Sequence, residues 1–135
     1  MKLITRDTDY AVRALSFILR HREQKFSATD LVRALKIPRP FLRKILQELT
    51  NQGILKSYRG QGGGFTLTPK SRGVTLIDLI KIFQGPFELN ECFFKKLACP
   101  NKNSCALRKK IGSIEKEVFS KLSVITIASL SGRSA

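Results

Sequence analysis

SATDLVRALKIPRPFLRKILQELTNQGILKSYRGQGGGFTL, residues 27–67, is the stretch that decides the fold. Ser27 can accept a hydrogen bond from the backbone N–H of Asp30, and Asp30 can reach back, the reciprocal bonding of a capping box that opens a helix. Leu31, Val32 and Leu35 give that helix an apolar face. Lys36-Ile37-Pro38 ends it, because the residue before a proline is pushed out of the α region. A second helix opens on Pro38, Arg39 and Pro40, in a first turn where a missing N–H costs little. Leu42, Ile45, Leu46 and Leu49 fall on one face of it, and Arg39, Arg43, Lys44 and Gln47 on the opposite face. Gly53 follows as a left-handed cap. Alternating strands over residues 54–58 and 65–68 then flank Arg59-Gly60-Gln61-Gly62-Gly63-Gly64, a glycine-tipped hairpin. Two helices and such a hairpin outline a winged helix-turn-helix, so the expected fold is mainly α with a small β-hairpin wing.

The charges of this stretch suggest its partner. Residues 36–44 hold four cations and no acid. A recognition helix in a major groove needs long donors near its N-terminus to reach base edges and phosphates. Arg59 at the hairpin tip is placed to enter a minor groove. The expected DNA-contacting set is Ser27, Arg39, Arg43, Lys44, Gln47, Tyr58, Arg59, Gly60, Gln61 and Gly62. Four glycines in five positions allow positive φ and close approach of backbone to a ligand. They are not a nucleotide loop, for no Gly-Lys-Ser/Thr ending is present and a strand follows. A solvated basic helix beside a plain flexible hairpin is the bland alternative.

The whole composition agrees with a polyanionic partner. In 135 residues, 25 lysines and arginines face 10 acids, a net charge of +15. Residues 1–83 carry 16 of the basic and 6 of the acidic residues, so the excess sits mainly on the expected DNA-binding part. No apolar run approaches the ~18 residues of a membrane span, and the N-terminus has no apolar signal region. The expectation is a cytoplasmic protein without membrane or small-molecule substrate. One histidine, no convincing triad and no phosphate loop argue against an enzyme. A basic RNA-binding or architectural protein would need aromatic residues on a basic sheet, whereas the aromatics here fit helix cores.

Working outward, residues 8–22 read as a first helix with Val12, Leu15, Ile18 and Leu19 inward, Ala11 and Ala14 allowing close packing, and Asp9 in the first turn. Beyond the wing, residues 69–73 read as a linker. Thr75 caps a helix over residues 76–84, with Leu76, Leu79, Ile80 and Phe83 as its apolar stripe, and Gly85-Pro86 stops it. Leu107, Ile111, Ile114, Val118, Leu122 and Ile125 recur at helical spacing in a long C-terminal helix. With little left to pack on, that helix suggests a partner copy in a homodimer, the alternative being that it folds back on its own domain. Residues 127–130 form a final short segment. The expected division is a DNA-binding unit over 1–84, a cysteine loop over 85–105, and a dimerisation helix with tail over 106–135.

That loop holds all three cysteines, Cys92, Cys99 and Cys105. A disulfide framework does not use an odd number, and a zinc site normally shows a close Cys pair and four ligands. An iron–sulfur cluster tolerates looser loops and binds mainly through thiolates. Three thiolates require a fourth ligand: Asp9, His21, another side chain or a small molecule. The spacing alone leaves structural or incidental cysteines equally open.

The order of parts is nevertheless distinctive. TDYAVRAL in the first helix, the helix-turn-helix, YRGQGGGFTL, the cysteine loop and the long last helix together resemble the Rrf family of bacterial winged-helix regulators, which includes IscR, NsrR, RirA and CymR types. The resemblance spans about residues 1–130. It implies a homodimeric transcription regulator of double-stranded DNA, repressor or activator, with long helices crossing at the dimer interface. It also implies a 2Fe–2S or 4Fe–4S cluster sensing iron, nitric oxide or redox state. Cys92, Cys99 and Cys105 match the family's cluster cysteines, and Asp9 of the other subunit matches the fourth ligand of the NsrR type. Arg108 stands where the IscR type has a histidine, so that ligand set is not matched. Arg43 stands where the IscR type has a glutamate that tunes sequence preference, and Arg59 matches the wing arginine. A cluster-free regulator gated by thiol oxidation or by a partner protein is the alternative.

Overall fold

The capping box of the central motif is complete: Asp30 N–H donates to Ser27 Oγ at 3.1 Å and Ser27 N–H to Asp30 Oδ2 at 3.0 Å. The computed structural model that contains it describes residues 2–88 and 106–132. Its elements are α1 Arg6–Arg20, α2 Ala28–Leu35, α3 Arg39–Asn51, β1 Leu55–Tyr58, β2 Gly64–Leu67, a 3-10 turn Pro69–Gly73, α4 Leu76–Gln84, α5 Ala106–Ser123 and α6 Ile127–Leu130. This is the expected mainly helical architecture with one hairpin. The loop expected to carry Cys92, Cys99 and Cys105 lies outside the described residues.

Helix α2 ends where Lys36 enters the left-handed region at φ 56° and its N–H reaches Val32 O. The chain thus turns before Pro38, and α3 runs on with Leu42, Ile45, Leu46 and Leu49 fully buried against α1 and α2. Gly53 takes φ 77° after α3, as a left-handed cap requires.

The wing is antiparallel, with Leu55 opposite Leu67 and Tyr58 opposite Gly64. A third strand segment, not apparent in the sequence, is supplied by Phe26. Phe65 N–H donates to Phe26 O at 2.7 Å and Phe26 N–H to Phe65 O at 3.3 Å, which fastens the hairpin to the start of α2. This pairing explains Gly64, since a Cβ there would lie 2.6 Å from Phe26 O. At Gly63 a Cβ would strike Tyr58 O. The close approach expected of these glycines is therefore to the protein's own backbone, while Gly60 and Gly62 supply the positive φ of the turn.

Helix α1 begins two residues earlier than expected. Its buried face is Ala11, Ala14, Leu15 and Ile18, spaced i, i+3, i+4, i+7, and Val12 and Leu19 are only half-buried. The two alanines sit at the centre because α1 is packed by both α3 and α4. Helix α4 is likewise covered on two sides. Ile77, which the expected stripe omitted, is buried with Ile80 against Leu122 of α5. Pro69–Gly73 is an ordered 3-10 turn rather than an open linker.

The C-terminus closes the domain. Helix α5 stops at Ser123, so Ile125 lies beyond it; Leu76 N–H donates to Ile125 O and Ile127 N–H to Val74 O. Ile127 of α6 enters the main core beside α1. The end of α5 therefore folds back on its own domain, whereas Leu107 and Ile114 toward its start are 67% and 49% exposed. Among the described residues no helix is long and apolar enough to cross a membrane.

Candidate nucleic-acid interface

The surface of α3 that faces away from the core meets the wing across an open cleft of about 650 Å³. Six of the ten residues expected to contact DNA line it: Ser27, Arg43, Gln47, Tyr58, Arg59 and Gly60. They converge because burial of Leu42, Ile45, Leu46 and Leu49 turns the polar face of α3 outward. The Phe26–Phe65 bridge then holds the hairpin beside that face. Gln61 and Gly62 lie exposed at the wing tip, outside the cleft lining.

Two expected contacts have partners within the protein. Arg39 Nη2 donates to Thr29 Oγ1 at 3.1 Å, tying the start of α3 to α2. Lys44 Nζ lies 3.6 Å from Asp7 Oδ2 in the first turn of α1, yet its side chain remains 74% exposed. Neither contact withdraws the cation from solvent.

Sequence reasoning missed Lys25, Lys56, Thr50 and Asn51. Thr50 and Asn51 continue the cleft along the end of α3. Lys25 Nζ sits 4.0 Å above the Tyr58 ring and Lys56 Nζ 5.3 Å from it, a cation–π stack on the wing. The Tyr58 hydroxyl titrates below the ordinary phenol range, first because of a hydrogen bond with Thr66 and then because Lys56 and Lys25 are near. Alternation along β1 could have paired Lys56 with Tyr58. Lys25 could not have been found, for it arrives through a bridge between residues 39 positions apart.

Of the residues expected at a metal centre, Asp9 is within the described residues. Its Oδ2 pairs with Arg13 Nε at 2.9 Å, one turn along α1, and its side chain is 44% exposed. His21, at the end of α1, packs its ring against Phe17 and Phe26, with centroids 4.7 and 6.0 Å away. Among the described residues no three His, Cys, Asp or Glu side chains gather.

A helix-turn-helix whose second helix and basic wing frame one cleft defines a winged-helix DNA-binding regulator. The chain belongs to the Rrf2 family, whose model, described as that of an iron-dependent transcriptional regulator, matches residues 4–133. Members of this family regulate transcription and are not enzymes. Protein aau3 of Rhizobium meliloti is 33% identical over 128 residues, 94% of this chain and 83% of that one. The transcriptional repressor NsrR of Streptomyces coelicolor is 26% identical over 129 residues, 94% and 86% of the two chains. Among solved structures, CymR, the global cysteine regulator of B. subtilis, superposes with a TM-score of 0.76 at 22% identity over the full length of both chains. IscR of T. potens gives 0.72 at 21%, covering 96% of this chain and 85% of that one. At such identities the structural likeness speaks for the fold.

Proposed function

We propose that the protein is a homodimeric transcription regulator that reads double-stranded DNA with α3 and the wing, and that an iron–sulfur cluster on Cys92, Cys99 and Cys105 governs it. The observation that carries the DNA-reading part is the cleft in which Arg43, Gln47 and Arg59 converge from two elements. Arg43 and Gln47 project from α3 toward a major groove, and Arg59 from the wing toward the flanking minor groove. Lys44 and Arg39 add phosphate contacts, which position the protein without reading sequence.

The donor set fits an iron–sulfur group. Three thiols supply the usual ligand chemistry. Asp9 offers a carboxylate that is exposed enough to meet a second subunit. When bound, such a cluster supplies one-electron redox chemistry whose potential is set by its ligands and surroundings. The exposed apolar start of α5 supports the homodimer, for Leu107 and Ile114 need cover that the described residues of one chain do not give. The cysteine trio also supports a second reading, in which the thiols are oxidised directly and no cluster forms.

The DNA reading is tested with Arg43→Ala and Arg59→Ala, on DNA selected by the wild-type protein. Each should weaken binding by about 1–3 kcal/mol and relax preference at its own base positions. Unchanged affinity and preference in both variants would refute this use of the cleft.

A further inference from the structure

Helix α1 lacks a capping side-chain bond of its own, although Thr5 occupies its N-cap. The first N–H groups of a helix need partners from elsewhere when the helix provides none. Here a residue 79 positions away supplies one. Gln84, the last residue of α4, accepts from Thr5 N–H at 3.0 Å and from Thr8 Oγ1–H at 2.6 Å on the same Oε1. Its Nε2 donates to Leu3 O at 3.2 Å. Thr8 is fully buried, and its hydroxyl finds its polar partners in Gln84 Oε1 and, at 3.2 Å, in Thr5 Oγ1. One amide therefore holds both sides of the start of α1.

The turn so held also grips the recognition helix. Arg6 places its guanidinium 4.0 Å over the Phe41 ring, Tyr10 packs on the same ring at 6.4 Å, and Asp7 pairs with Lys44 at 3.6 Å. Phe41 and Lys44 belong to the half of α3 that carries Arg39 and Arg43. Asp9 stands on the same turn of α1, and Cys92 follows Gln84 by eight residues. A cleft of about 110 Å³ between residues 2–3 and 86–88 borders Gln84, so its amide is not locked by packing on every side.

We propose that Gln84 is a positioning residue: it couples the end of α4, where the chain leaves for the cysteines, to the recognition helix through the first turn of α1. A shift of the α4 end is transmitted as loosening of α1 residues 5–8 and then of the contacts on Phe41 and Lys44. Its consequence for regulation rests on the DNA-binding reading above, whereas the coupling itself does not.

The test is amide hydrogen exchange on the DNA-free protein, with DNA affinity measured in parallel. Gln84→Leu should speed exchange roughly tenfold at the start of α1 and also at residues 41–45 of α3, while the hairpin over residues 55–67 keeps its protection. DNA binding should weaken with it. Gln84→Glu keeps the accepting oxygen but sets its second oxygen against Leu3 O in place of the donating N–H, so it should recover only part of the protection in α3. Thr8→Val, nearly isosteric, should reproduce the Gln84→Leu pattern in weaker form. Native protection of α3 in both Gln84→Leu and Thr8→Val would overturn the proposal. A wild-type protein that binds no DNA would instead sink the functional reading and leave the exchange result to stand on its own.

Discussion

Single residues decide several local structures, and those were the most legible part of the sequence. Ser27 with Asp30 and Thr75 with Asp78 form capping boxes at three-residue spacing, so the signal and the structure are equally local. The role of Gln84 was not legible, because a polar residue at a helix end looks solvated until its distant partners are known. Nor was the Asp7–Lys44 pair, which joins different helices. Asp30 yields a prediction about pH. The Ser27 backbone N–H, then the Ser27 hydroxyl, holds its carboxyl below the ordinary aspartate value. A depressed folded pKa contributes stability that is fully present above the unfolded value, about 3.9, and is lost as pH falls through the folded one. Asp30→Asn should thus cost stability at neutral pH and little in strong acid, as denaturant titrations across pH would record. A difference that persisted in acid would dissociate Asp30 from the effect.

At the scale of elements, periodicity located α2, α3 and α4 well and misjudged which side of α1 and α4 is deepest. A helix packed on one side shows its buried face in its pattern, but α1 and α4 are each packed on two sides. That is why Ile77 escaped notice and why Ala11 and Ala14, rather than Val12 and Leu19, sit at the centre of α1. The third strand segment at Phe26 was invisible because one bridging residue has no periodicity. Helix α5 divides by burial into two halves with different expected sensitivities. Ile114→Glu should convert a dimer to a folded monomer in sedimentation while leaving thermal unfolding of the domain nearly unchanged. Leu122→Ala, at an 8% exposed position against Ile77 and Ile80, should instead destabilise the domain by about 2–5 kcal/mol in denaturant titration. An Ile114→Glu protein that remained dimeric would move the interface away from α5.

For the whole molecule, a net charge of +15 makes DNA affinity a steep function of salt. Lys25 and Lys56, the wing cations that the sequence reading passed over, should each lower the salt slope by about 1 when replaced by alanine if they meet phosphates, and titrations at several salt concentrations would show it. The winged-helix unit and its basic cleft were readable because helix periods, caps and glycine turns are written over short distances. The proposed control of that unit rests on donor chemistry alone: three thiols near one another in sequence, and an exposed Asp9 on α1. The account therefore stands or falls on the content of those thiols. The most direct measurement is the visible absorption spectrum of anaerobically purified protein, with iron and sulfide counted per chain. A brown protein with visible bands and comparable amounts of iron and sulfide is the expected result. A colourless protein that takes up neither on reconstitution would contradict it.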